Sequence, residues 1–189
     1  ILRLTAIDRI PSGLDWDEAA VGYNAYSILK TGKDEYGTPF PILFRSFNDY
    51  KLPAIVYLTV PSIALLGLNP VGVRLPSAIL GVVTIFLVYL IAKKITGNSK
   101  IGLLAAIILT ISPWHLHFSR VAFEPNLALF FMTLGVAFYL FAGKNLRLWV
   151  FAAISFALSL YSYHSPKIVL PILLLLLFWY KLKENKNYL

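Results

Sequence analysis

Three acids and four cations stand at the edges of this chain's apolar runs. Asp17 and Glu18 belong to the cluster Asp15-Trp16-Asp17-Glu18, and Glu124 lies far downstream. The cations are Lys51, Arg74, Arg120 and Lys167. A carboxylate can take the proton of an attacking hydroxyl. Lysine and arginine can hold a phosphate. Acids beside a bilayer are costly and are retained mostly for function. Together these types suit a phosphate-bearing lipid handled at the lipid–water boundary.

The elements that carry them are membrane-length. The 189 residues are 58% hydrophobic, with a mean hydropathy of +0.72. That exceeds the roughly 45–50% apolar content of ordinary soluble domains. Residues 75–92, 101–119, 125–143 and 148–166 contain no Asp, Glu, Lys or Arg, each about the length of a bilayer span. Residues 168–180 form a shorter apolar run that ends in Lys181, Lys183 and Lys186, whose long side chains can reach the interface. The expected fold is therefore all-α, a polytopic transmembrane helical bundle.

The net charge is +8, but its distribution argues against nucleic acid. Lys93, Lys94, Lys100, Lys144, Arg147, Lys181, Lys183 and Lys186 all fall in three short connections or tails, with Glu184 as the opposing acid. That asymmetry orients membrane proteins with the basic loops inside. The chain has no cysteine, which excludes disulfides and thiolate metal sites.

The chain begins at Ile1, and its single methionine is Met132. We expect a fragment forming one transmembrane domain. Residues 1–7 read as the end of a truncated first span. Residues 8–73 read as an extracytoplasmic loop with interfacial helices, 74–180 as about five spans, and 181–189 as a cytoplasmic tail. Within the loop, Asp15 and Glu18 have capping-box spacing and Gly32 is a stop signal, so a helix is predicted to about Lys30. Trp16, Ala19, Ala20, Tyr23 and Tyr26 share one stripe of it, as in helices lying in an interface. Residues 52–73 lack charge but carry Pro53, Pro61, Gly67, Pro70 and Gly72. Either they span, or they form short interfacial helices; the breakers favour the second. In that topology Asp17, Arg120 and Lys167 share one face.

Each candidate also has a plain structural reading. Asp15 suits a helix cap, and Glu18 can simply close the box. Capping does not explain Asp17. Lys51 can snorkel, and Arg74 and Lys167 can anchor at the interface. Arg120 and Glu124 lie one turn apart and can pair. His115, His117 and His164 show no clear ligand spacing, so a divalent metal is unsupported and no cofactor is expected.

The order of motifs resembles a known family. It runs from Asp17-Glu18, through Tyr50-Lys51-Leu52-Pro53 and Val73-Arg74-Leu75-Pro76-Ser77-Ala78, to Ser112-Pro113-Trp114-His115 followed by Ser119-Arg120. This resembles the N-terminal part of polyprenyl-phosphate-sugar-dependent glycosyltransferases of the C-type membrane fold, such as protein O-mannosyltransferases and aminoarabinose lipid A transferases. The resemblance implies that Asp17 is the catalytic base and Glu18 its acceptor-side or structural partner. It implies that Lys51 contacts the donor phosphate, although Leu52 separates it from the proline that directly follows in the aminoarabinose enzymes. Arg74 matches an arginine important in the mannosyltransferases. Arg120 and Lys167 would complete the phosphate site, with Glu124 on the acceptor side or structural. The implied partners are a polyprenyl-phosphate-linked sugar, membrane lipids and a hydroxyl acceptor on protein, lipid or glycan. The setting would be a multi-pass protein of the cell membrane with its site extracytoplasmic. A transporter or flippase of lipid-linked glycans is the alternative, and a fragment without activity of its own is a third reading.

Overall fold

Helix caps and prolines set the element boundaries in the computed structural model, which describes residues 1–46 and 49–186. Helix α1 (Trp16–Thr31) starts at the Asp15–Glu18 capping box, in which the Asp15 N–H donates to the Glu18 carboxylate at 3.2 Å. It ends at Gly32, whose φ of 69° suits glycine. Glu18, Val21, Ala25 and Ile28 form its buried stripe, while Trp16, Tyr23 and Tyr26 face outward.

A two-stranded antiparallel hairpin follows, β1 (Phe44–Ser46) with β2 (Asp49–Lys51), in the register Phe44 to Lys51. Helix α2 (Ala54–Leu66) then packs on α1 and ends at Gly67. Its 13 residues reach about 20 Å, short of the roughly 30 Å hydrocarbon core. Segment 52–73 thus divides at Gly67, and its last residues open α3 (Pro70–Thr96). Asn69 caps α3 by accepting from the Gly72 N–H at 2.9 Å.

Helix α3 and α6 (Glu124–Phe141) are each long and apolar enough to cross a membrane. They pack side by side, joined at one end where Asn126 donates to the Ser77 carbonyl at 2.9 Å. Helix α4 (Ser99–Ile111) returns along α3 after the Gly97 turn, and α7 (Leu146–Leu160) returns along α6 after Gly143. Helix α8 (Pro166–Lys186) completes the bundle. Small residues permit the close helix contacts: a Cβ on Gly81 would lie 2.3 Å from Ser119 Cβ, and one on Gly135 would lie 2.5 Å from the Phe156 ring.

The fold is that of an all-α membrane protein, with the short hairpin as an addition within its first loop. One apolar run and the N-terminal segment depart from the expected spans. The run 101–119 breaks at Ser112, because Pro113 lacks an N–H and disfavours helical geometry in the residue before it. Pro113 instead opens the short helix α5 (Pro113–Phe118). Residues 2–9 form consecutive turns where the end of a span was expected, with Arg3 and Ile7 buried.

Alternation of the helices gives the bundle two chemically different ends. Lys93, Lys94, Lys100, Lys144 and Arg147 flank the two short connections at one end. Helix α1, the hairpin, Arg74, Arg120 and Glu124 gather at the other.

Candidate active site

Asp17 and Glu18 are chain neighbours with opposite surroundings. Glu18 is 1% exposed and Arg74 0%. The Arg74 Nε–H donates to Glu18 Oε1 and an Nη2–H to Oε2, both at 2.8 Å. The remaining Arg74 donors reach the carbonyls of Ile7 at 3.0 Å, Pro11 at 2.9 Å, and Gly13. A guanidinium has five N–H groups, so all of Arg74's are matched inside the fold. Glu18 also accepts from the Ala122 N–H at 3.1 Å. The pair therefore locks the start of α1 to α3 and to the segment before α6.

Arg120 is used in the same way. Its guanidinium donates to the carbonyls of Ile10 (2.9 Å), Thr5 (2.8 Å), Ala6 (3.2 Å) and Leu2. The one-turn pair with Glu124 is absent among the ion pairs of the described residues. Arg3 follows suit, donating to the Leu109 carbonyl near the end of α4 at 3.1 Å and meeting His115 Nδ1 at 2.7 Å. Burial, and then the Arg3 charge, hold His115 down at about 4, so its imidazole is neutral at pH 7.

Asp17 faces outward, with its side chain 30% exposed. Its Oδ1 lies 3.3 Å from Lys51 Nζ, which also pairs with Asp49 Oδ2 at 3.3 Å. Burial opposes the Lys51 charge, but Glu124, Asp17 and Asp49 outweigh it and lift Lys51 above its ordinary 10.5. The exposed Asp49 carboxylate lies below its usual range because the Tyr50 N–H and then Lys51 favour its charge. The hairpin positions both partners: its register brings Lys51 back over Phe44, which is buried against Val21 and Val56.

Lys51 divides the surface into two clefts. One, of about 60 Å³, is lined by Asp49, Lys51, Glu124, Ser162, Tyr163 and His164. Lys167 lies at its edge, with Nζ 3.2 Å from His164 Nδ1. Tyr163 also borders an apolar groove of about 270 Å³ between α5, α6 and the start of α8, with Trp114, Phe118, Leu129 and Met132. The second cleft, of about 470 Å³, is lined by Trp16, Asp17, Ser46, Asp49 and Lys51. Among the described residues no group of three or more His, Asp or Glu is arranged to hold a metal ion.

Of the sequence-predicted residues, the site thus gathers Asp17, Lys51 and Glu124, with Lys167 at its rim. Glu18, Arg74 and Arg120 lie behind it as internal supports. Asp49 and Ser46 were not singled out by sequence. Asp49 carried one usable signal, its position two residues before Lys51 on the same face of a strand.

These features define a membrane-embedded helical protein with an acid–cation cleft at one end. Residues 51–189 match the dolichyl-phosphate-mannose-protein mannosyltransferase family. The chain belongs to that family, a family of membrane glycosyltransferases. It is similar to an uncharacterized protein of Aquifex aeolicus (strain VF5), 29% identical over 157 residues. The match covers 82% of this chain but 31% of that relative's length. No solved structure matches the chain.

Proposed function

We propose that this chain carries the donor–acceptor end of a glycosyltransferase that moves a sugar from a polyprenyl-phosphate donor to a hydroxyl acceptor at the extracytoplasmic membrane face. The observation that carries the reading is the Asp17–Lys51 pair. Asp17 lines the larger cleft and pairs with Lys51, which lines both clefts, while the neighbouring Glu18–Arg74 pair is sealed. Asp17 takes the proton of the acceptor hydroxyl as that oxygen attacks the sugar's anomeric carbon. The bond from that carbon to the phosphate oxygen breaks, and the polyprenyl phosphate leaves as an anion. Lys51 stabilises the departing phosphate electrostatically, and Lys167 at the rim adds charge. Glu124, mostly buried beside Lys51, favours the lysine's charged form. Arg74, Arg120 and Glu18 act as positioning residues, because their hydrogen-bonding groups are already engaged within the fold. The outward face follows from the basic connections at the other end of the bundle.

The test uses the full-length enzyme. Asp17→Asn should lower transfer by at least the ~10²–10⁴-fold typical of general-base removal, with unchanged thermal unfolding. Asp15→Asn should be mild, since Asn also caps helices. Near-normal transfer by Asp17→Asn would refute the assignment.

A further inference from the structure

We propose that the apolar pocket between α2 and α3 binds a bilayer glycerophospholipid, which seats the upper part of one acyl chain there and accepts the Ser62 hydroxyl on its ester carbonyl. The inference is independent of the transfer reading.

The two helices meet tightly at their connecting turn, where a Cβ on Gly72 would lie 2.4 Å from the Gly67 carbonyl oxygen. Farther along, they border a pocket of about 220 Å³ lined by Leu58, Ser62, Leu75, Pro76, Ile79 and Leu80. Leu58 and Ser62 lie one turn apart on α2, and the other four share one face of α3. None of the six lines the clefts beside Lys51 or the groove beside Tyr163.

Ser62 fixes the chemistry of the occupant. It is 9% exposed, and its hydroxyl has no hydrogen-bond partner among the described residues. Helical serines and threonines commonly donate to the carbonyl four residues back. Thr59, Thr84 and Ser155 do so here, each at 2.8 Å. Ser62 does not. A buried unpaired hydroxyl costs free energy, so a partner from outside the fold stabilises it. Water is a poor candidate, because a trapped water needs two or more polar partners. Among the described residues Ser62 is the one polar side chain in the wall. The occupant is therefore mostly hydrocarbon and carries an acceptor.

Size and depth identify it further. The pocket is smaller than the roughly 300 Å³ at which sites for whole small molecules begin, so it holds part of a longer molecule. The 27 residues of α3 span about 40 Å, against a hydrocarbon core of about 30 Å. A centred α3 leaves about 5 Å of each end outside the core, and Leu75 to Leu80 lie roughly 8–15 Å from its start. The pocket thus opens just inside the core boundary, where lipid ester carbonyls sit. No charged side chain lines it among the described residues, so the headgroup stays outside. A prenyl chain would fill the volume but leave Ser62 unpaired.

The test uses the full-length protein, delipidated in detergent. It is mixed with equal amounts of dioleoyl phosphatidylcholine and its dioleyl ether analogue, which lacks the carbonyls, and bound lipid is read by native mass spectrometry. The wild type should retain one ester lipid, preferred over the ether by roughly fivefold, the scale of one neutral hydrogen bond. Ser62→Ala should bring the two to parity. Its thermal unfolding in lipid-free detergent should not fall, because the lost hydroxyl had no partner. Ile79 is 48% exposed at the rim, so Ile79→Trp can block the pocket without entering the core, and it should reduce retention of both lipids. Ile154→Trp on the exposed face of α7 should change neither. Absence of a retained lipid, equal retention of ester and ether by the wild type, or an ester preference that survives Ser62→Ala overturns the inference. So does retention indifferent to Ile79→Trp, or a Ser62→Ala protein that unfolds earlier before lipid is added. Displacement of the ester lipid by undecaprenyl phosphate would give the pocket to a prenyl chain and overturn it as well.

Discussion

Arg74 grips Glu18 at two points, Nε to Oε1 and Nη2 to Oε2, each at 2.8 Å, across 56 positions of sequence. The contact joins the first turn of α1 to the first turns of α3, and it decides what Asp17 can do. With Glu18 locked inward, the next residue back on the helix is rotated toward the cleft. One acid of the Asp17-Glu18 dipeptide thereby aims the other. Removing either partner leaves an uncompensated buried charge.

Glu18→Gln and Arg74→Met should therefore each destabilise the protein by about 3–5 kcal/mol. The double variant should lose much less than the sum, since the two groups are directly coupled. Thermal unfolding in nanodiscs reads this. The folded fraction of Arg74→Lys should bind the polyprenyl-phosphate donor with near wild-type affinity, because Arg74 has no donor left for a phosphate. A large affinity loss in a well-folded Arg74→Lys protein would return this arginine to the phosphate site that its motif implies.

Lys51 should behave differently. Lys51→Met should weaken donor affinity by roughly 10- to 100-fold, the scale of a charge-assisted hydrogen bond, with little change in unfolding. Its pH dependence follows from the raised pKa. The folded-state value lies above the ordinary 10.5, so the charged form and its contribution are fully present below that pH. They fade as pH rises through the elevated folded value. Donor affinity in the wild type should thus be flat from about pH 7 to about pH 10. A binding transition near neutrality that disappears in Lys51→Met would contradict this role.

The sequence made some of this legible. The cap at Asp15, the stop at Gly32 and the breakers before α3 are local signals, and α1 and α3 begin and end close to where those signals place them. The lysine asymmetry is equally local, and the alternating helices fit it. The hairpin was missed because strands of three residues carry almost no periodicity. The short helix α5 beyond the break at Ser112 was not read, because the lone Pro113 in an uncharged run is a weaker signal than the five proline and glycine breakers of residues 52–73. The site was harder. Arg74 and Arg120 look like phosphate ligands in sequence, since a guanidinium beside a bilayer can serve a phosphate or a carbonyl equally well. The choice depends on which carbonyls the turns of residues 2–13 present, and that is a long-range property. The burial of Glu18 opposite Arg74 is of the same kind.

The last prediction concerns which side of the membrane the cleft faces. The basic connections predict that α1, the hairpin and the 161–165 turn lie outside, and that the 97–98 and 142–145 turns lie inside. The chain contains no cysteine, so single cysteines report without a background. Exposed positions serve best: Lys33, His117 and Ser165 at the cleft end, Asn98 and Lys144 at the other. In right-side-out vesicles, a membrane-impermeant maleimide should label Lys33→Cys, His117→Cys and Ser165→Cys directly. Asn98→Cys and Lys144→Cys should label only after permeabilisation. The three cleft-end positions should behave as a set, because Arg120 binds the carbonyls of the N-terminal turns and Lys167 reaches His164 beside the Lys51 cleft. Labelling of positions 33 and 117 from opposite sides would separate Asp17 from the bundle that supports it and sink the composite site. Labelling of all three only from the inside would keep the site but reverse its face, and the acceptor would then be cytoplasmic.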